Sequence, residues 1–199
     1  MLNWQDVNAQ ISKDSITTII LVRHAEKVKD NTANPALTTE GELRAIKLAY
    51  MLREESVAAV FSTDYERTLK TAEPTAQFHE LKVQKYLPQN QELFLENVLK
   101  QYRGKTVLIV GHSNTVPMML NVLTGENYWK IKDYAYNDLF IVNVVQQGDG
   151  KVLHLKYGEM SEPPILANVD DHNIAIQGYD VVSYFEYKKP MKGSVYYSA

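Results

Sequence analysis

Three short apolar runs, each closed by a cluster of polar residues, constrain this chain more than any other feature. Residues 17–22, 57–61 and 106–110 are rich in Ile and Val and do not alternate with polar residues. Runs of this kind predict strands buried on both faces, the habit of a parallel sheet covered by helices. In such sheets ligands bind beyond the carboxyl ends of the strands, so the residues that close the runs are the first place to look for chemistry.

Between the runs lie helical patterns. Thr39 with Glu42 reads as a capping box, and Leu43, Ile46 and Tyr50 then repeat at helical spacing toward Leu52. Thr63 with Glu66 repeats the device for a second helix reaching about Phe78. A third is predicted from about 90 to 102, with Phe94, Val98 and Tyr102 on one stripe and Gly104 placed to end it. Residues 138–145, the turn Gly148-Asp149-Gly150 and residues 152–157 predict an antiparallel hairpin added at an edge. Strand–helix alternation of this order predicts a three-layer α/β/α sandwich over residues 17–157, with a mostly parallel sheet.

With 199 residues, 45% of them hydrophobic, the chain can bury one sizeable core and a small appendage. The pattern breaks near Pro163-Pro164, which divides it into a main domain, 1–160, and a Tyr-rich appendage, 161–199. A formal charge of −3 gives no general attraction for nucleic acid or an anionic membrane. The absence of cysteine removes disulfides, thiolate catalysis and sulfur-based zinc sites. No apolar run approaches membrane-spanning length. The first 14 residues have neither a basic region nor an apolar core of a signal peptide, so the expected setting is cytoplasmic, or that of a mature exported form.

The closing clusters are unusually polar. The first run ends in Arg23-His24-Ala25-Glu26-Lys27, the second in Ser62-Thr63 with Arg67 one turn into the next helix, and the third in Gly111-His112-Ser113-Asn114. Two histidines and two arginines thus come to one edge from three strands. Arg67 in a first helical turn opposes the positive end of the helix dipole unless an anion lies between them. Guanidinium forks and helix N-termini both suit a phosphoryl group. Without Cys, a P-loop or a carboxylate cluster spaced for metal, His24 is the natural nucleophile, through a covalent intermediate. His112 would then stabilise charge on the equatorial oxygens. Ser113 and Asn114 read as helix caps, a role compatible with a phosphate contact. The 132–136 stretch is a candidate for the rim of the site.

Leu21-Val22-Arg23-His24-Ala25-Glu26-Lys27 resembles the signature of the histidine phosphatase superfamily, the phosphoglycerate mutase-like proteins. Leu37-Thr38-Thr39-Glu40-Gly41 with Ala45 resembles a second block of that family, with Arg44 where glutamine is usual. Phe61-Ser62-Thr63-Asp64-Tyr65-Glu66-Arg67-Thr68 with Thr71-Ala72, and Val110-Gly111-His112-Ser113, resemble two more. The resemblance implies a phosphoglycerate mutase-like fold, a phosphorylated His24, and a phosphate pocket of Arg23, Arg67 and His112, with Ser113 and Asn31 as further contacts. Asp30 stands about where many members have a phosphate-contacting asparagine, with Asn31 beside it. Members acting on alkyl phosphates usually carry a glutamate general acid; Glu92 is the nearest candidate, and equally reads as a solvated first-turn residue. Compact spacing without a clear acid favours easy leaving groups, as in the small bacterial phosphohistidine phosphatases.

The expected function is a metal-independent, cofactor-free phosphatase acting on a small phosphomonoester, phosphohistidine or a phosphoprotein. A phosphomutase and a non-catalytic phospho-ligand binding module are the alternatives. Residues 174–185, with Lys189-Pro190 and Lys192-Gly193-Ser194, resemble the opening of a YHS-type domain that would be incomplete at Ala199; no function is carried over from it.

Overall fold

The three apolar runs form the centre of a six-stranded sheet. They are strands β1 (Thr17–Arg23), β2 (Val57–Ser62) and β4 (Thr106–Gly111), joined by a short β3 (Val83–Lys85) and by β5 (Asp138–Val144) and β6 (Lys151–Lys156). The order across the sheet is β3-β2-β4-β1-β5-β6. The first four strands are parallel, and β5 and β6 form the expected antiparallel hairpin, β5 pairing with β1. The computed structural model describes residues 16–159, 166–170 and 173–176.

Successive residues of β1 point to opposite faces, and both faces are buried, which is why the run does not alternate. Ile19 and Leu21 pack with Val107 and Ile109 under α3 (Gln91–Gln101) and α4 (Thr115–Thr124), against Leu95, Met119 and Leu120. Ile20 and Val22 pack with Leu108 and Val110 under α1 (Thr39–Met51) and α2 (Glu66–Phe78), against Leu48, Ala72 and Ala76. These are the two helical layers of an α/β/α sandwich.

The topology makes a crevice. From β1 the chain moves through α1 to β2 on one side, whereas from β4 it moves through α4 to β5 on the other. Because β1 and β4 are neighbours, their connections diverge at the carboxyl edge, which is where such sheets bind ligands. His24 and His112 are the first residues past those two strands.

Several local expectations are corrected. Helix α1 is capped by Thr38, whose hydroxyl accepts from the Gly41 N–H, not by Thr39. Its inward face is Gly41, Arg44, Ala45, Leu48 and Ala49, while Leu43, Ile46 and Tyr50 are each more than half exposed. The helix is apolar on two sides, and the side carrying Arg44 is buried because Glu26 neutralises it. Gly41 is required there: a Cβ would collide with the Glu26 carbonyl oxygen. Helix α2 begins without a side-chain cap from Thr63; Asn34, from the loop after β1, accepts from the Glu66 N–H instead. Asn114 makes no cap at α4; Thr115 Oγ1 accepts from the His112 N–H. Strand β3 carries no apolar run, and its three residues hold place as an edge.

The chain divides into two compact units, Met1–Gly158 and Glu159–Ala199. In the second, β7 (Leu166–Asp170) pairs antiparallel with β8 (Asn173–Ile176). Apart from Ile174–Ile176, the residues that resemble a YHS-type domain lie outside the described residues.

Candidate active site

His24 is held from both neighbours. Its N–H continues the sheet ladder to the Gly111 carbonyl at 2.9 Å, and the next N–H, of Ala25, donates to Thr71 Oγ1 at 2.9 Å. Thr71 in turn donates to the Arg67 carbonyl, tying the end of β1 to the first turns of α2. The imidazole is 4% exposed, and its Nδ1 lies 2.8 Å from the Ala25 carbonyl oxygen. A carbonyl only accepts, so Nδ1 carries the proton and Nε2 keeps its lone pair. Burial, the Arg23 and Arg67 guanidiniums and His112 together press the His24 pKa down to about 3, overcoming the hydrogen bond to Ala25. Near neutrality the ring is an uncharged base.

His112 stands beside it, ring centroids 5.6 Å apart in an edge-on arrangement. Its Nε2 is 2.9 Å from Thr63 Oγ1, which is itself 2.9 Å from Thr68 Oγ1. Burial and the same two guanidiniums lower the His112 pKa to about 4.

Arg23 is a buried cation and Arg67 a half-buried one, and both lack a full set of partners. Arg23 Nη1 donates to the carbonyls of Lys132, Asp133 and Ala135, so the 132–136 stretch is indeed fastened to the site. Yet Nε of Arg23 and Nε of Arg67 are both buried without a hydrogen-bond partner. Arg67 makes no ion pair among the described residues; Asp64, a candidate partner for it, is taken by Lys85 at 2.7 Å. Burial lowers both guanidinium pKa values. Two desolvated cations with unmet donors are costly unless an anion completes them, and tetrahedral oxyanions fit such forks.

Two tyrosines complete the walls. Tyr136 lies under the Arg23 guanidinium at 4.2 Å and 6.0 Å from the His24 ring. Tyr65 lies under Arg67 at 4.4 Å and meets His112 at 5.3 Å. Tyr136 lies in the stretch expected at the rim and Tyr65, Thr63 and Thr71 in a block expected near the phosphate, but their roles as walls and supports arise from contacts between separate elements and carry no local pattern.

Of the residues expected at the site, Arg23, His24, Arg67 and His112 converge. Ser113 follows His112 in the turn before α4, and its carbonyl accepts from Ile131. Asn31 is exposed in the turn where Asp30 Oδ1 accepts from Thr32. Glu92 is set apart: its carbonyl accepts from Gln147 in the β5–β6 turn. That turn follows Val144, which pairs with Thr17 at the start of β1, so it lies beyond the opposite edge of the sheet from His24. Among the described residues no three His, Cys, Asp or Glu side chains are grouped to hold a metal ion.

This architecture is the phosphoglycerate mutase-like histidine phosphatase fold. Residues 19–87 match the profile of the histidine phosphatase superfamily (branch 1), a span that includes His24 and Arg67. Among solved structures, the protein histidine phosphatase SixA complexed with tungstate is similar at 16% identity and a TM-score of 0.60, over 70% of this chain and 96% of that one. Mycobacterial glucosyl-3-phosphoglycerate phosphatase is similar at 12% identity and a TM-score of 0.53, over 64% and 90%. Phosphoserine phosphatase from Entamoeba histolytica in complex with 3-phosphoglyceric acid is similar at 16% identity and a TM-score of 0.52, over 63% and 90%. No curated protein matches the chain.

Proposed function

We propose that the first unit is a metal-independent phosphatase of the histidine phosphatase superfamily that works through a phosphorylated His24. The observation that carries this reading is the His24 imidazole itself: neutral, fixed in one tautomer by Ala25, and set beside two guanidiniums whose Nε donors are unmet. Nε2 attacks phosphorus, the bond from phosphorus to the leaving atom breaks, and Arg23, Arg67 and His112 take up the charge on the equatorial oxygens. Water then attacks the phosphohistidine, the P–N bond breaks, and inorganic phosphate leaves with His24 restored. Positioning and charge neutralisation supply most of the rate, and the buried site provides both.

The substrate is a small phosphomonoester or phosphohistidine. With Glu92 on the far side of the sheet, leaving groups that need little protonation suit the site best, and phosphohistidine is one. The similarity to a structure of SixA supports the same choice. The test is hydrolysis of p-nitrophenyl phosphate by wild type and His24→Ala with a chelator present. Chelator-resistant turnover that is lost in the variant is expected; a folded wild type inert on this activated ester would favour a binding module.

A further inference from the structure

We propose that Tyr65 and Tyr136 select the leaving group, walling the mouth of the phosphoryl site for a flat unsaturated ring, a phenol or an imidazole, over an alkyl or polyol group. The inference rests on the phosphatase reading and adds the substrate class.

The two tyrosines are placed alike although they come from unrelated parts of the chain. Each covers the face of one site guanidinium, at 4.2 and 4.4 Å, and each meets one site histidine. A guanidinium lying over a ring has that face closed to phosphate, so the phosphoryl group is held with an aromatic surface on either flank. The floor is buried, with His24 4% and Arg23 5% exposed, whereas Tyr65 is 38% exposed. Tyr136 is intermediate, so both walls rise from floor to solvent. In-line attack by Nε2 drives the leaving group away from the floor, along those walls.

Several polar groups beside the rings are engaged elsewhere. Asp64 pairs with Lys85, Asp133 with Lys130, and the carbonyls of Lys132, Asp133 and Ala135 are occupied by Arg23. Beside these groups the mouth offers a leaving group two aromatic walls, which favour offset stacking or edge contact with another ring.

Aryl esters react faster than alkyl esters for electronic reasons alone, so the test compares phenyl phosphate with a fluorinated alkyl phosphate of matched leaving-group acidity. Wild type should favour the phenyl ester about tenfold in kcat/KM, the scale of one good ring contact. Tyr65→Leu and Tyr136→Leu should each move that ratio toward parity, and Tyr→Phe at either position should keep it, since the ring and not the hydroxyl is required. A wild-type ratio near one, or leucine variants that slow both esters by the same factor, would overturn the proposal and leave the tyrosines as supports for the guanidiniums. Failure of wild type on both esters would instead overturn the phosphatase reading, and this inference with it. Phosphotyrosine and phosphohistidine peptides then separate the two sources of such a ring: the ester or phosphoramidate hydrolysed with the higher kcat/KM and the greater loss in the leucine variants identifies which.

Discussion

The Nε2 of His112 and the hydroxyl of Thr63 stand 2.9 Å apart, and that contact is what orients the second histidine. Thr68 holds the Thr63 hydroxyl from the other side. Replacing Thr63 by Val leaves a largely buried ring nitrogen unpaired and frees the ring to rotate. The expected result is a fall in kcat/KM of roughly ten- to a hundredfold, with the fold intact by circular dichroism and recovery in Thr63→Ser. Full activity in the valine variant would contradict the role.

Arg67 is a half-desolvated cation without an acidic partner among the described residues, so function and stability oppose each other there. Arg67→Met should abolish turnover and yet raise the unfolding free energy of the ligand-free protein by about 1 kcal/mol. Phosphate or tungstate should raise the melting temperature of wild type and not that of the variant. Denaturant titration with and without the anion measures both effects.

The depressed imidazole pKa values set a pH dependence. In the folded state His24 and His112 stay neutral down to about 3 and 4, while in the unfolded chain they protonate near the ordinary 6.5. Between those limits the unfolded state binds more protons, so stability falls as pH drops from about 6.5 toward 4. Titration of the ring resonances by NMR should show both histidines uncharged at pH 5, and bound phosphate should raise both pKa values. A midpoint near 6.5 for His24 would contradict the burial argument.

Arg44 is 4% exposed and serves as a structural clamp. Its Nε and Nη2 fork onto Glu26 at 2.7–3.0 Å and its Nη1 donates to the Tyr157 carbonyl at 2.8 Å. It thereby ties the loop after β1 to the end of β6. Arg44→Ala strands a partly buried carboxylate and should cost about 3 kcal/mol in unfolding free energy. The double variant with Glu26→Gln should recover part of that loss.

The three central strands, their parallel pairing, the hairpin and four residues of the candidate site were legible because each depends on local composition or on a motif tied to a strand end, whereas the edge strand β3 has no apolar run to mark it. Helix faces and caps were less so. In α1 two apolar stripes compete, and the buried one is decided by the Arg44–Glu26 pair, a contact across eighteen positions. Thr63 resembles a cap in sequence, but the chain turns it toward His112, and Asn34 takes over the α2 terminus from a different loop. Tyr136 lies in a stretch expected at the rim and Tyr65 in a block that resembles the family's, but neither ring has a pattern that marks it as a wall; only the folding of the α4–β5 connection over Arg23 brings the second ring to His24.

The central claim is that His24 carries the phosphoryl group. The most direct measurement is intact-protein and peptide mass spectrometry after rapid mixing with an excess of aryl phosphate and quenching in base, where phosphohistidine survives. A gain of one phosphoryl group located on His24 is expected, absent in His24→Ala and lost on acid treatment. Turnover without any such adduct in a His112→Ala variant that slows its hydrolysis, or an adduct on another residue, would contradict it.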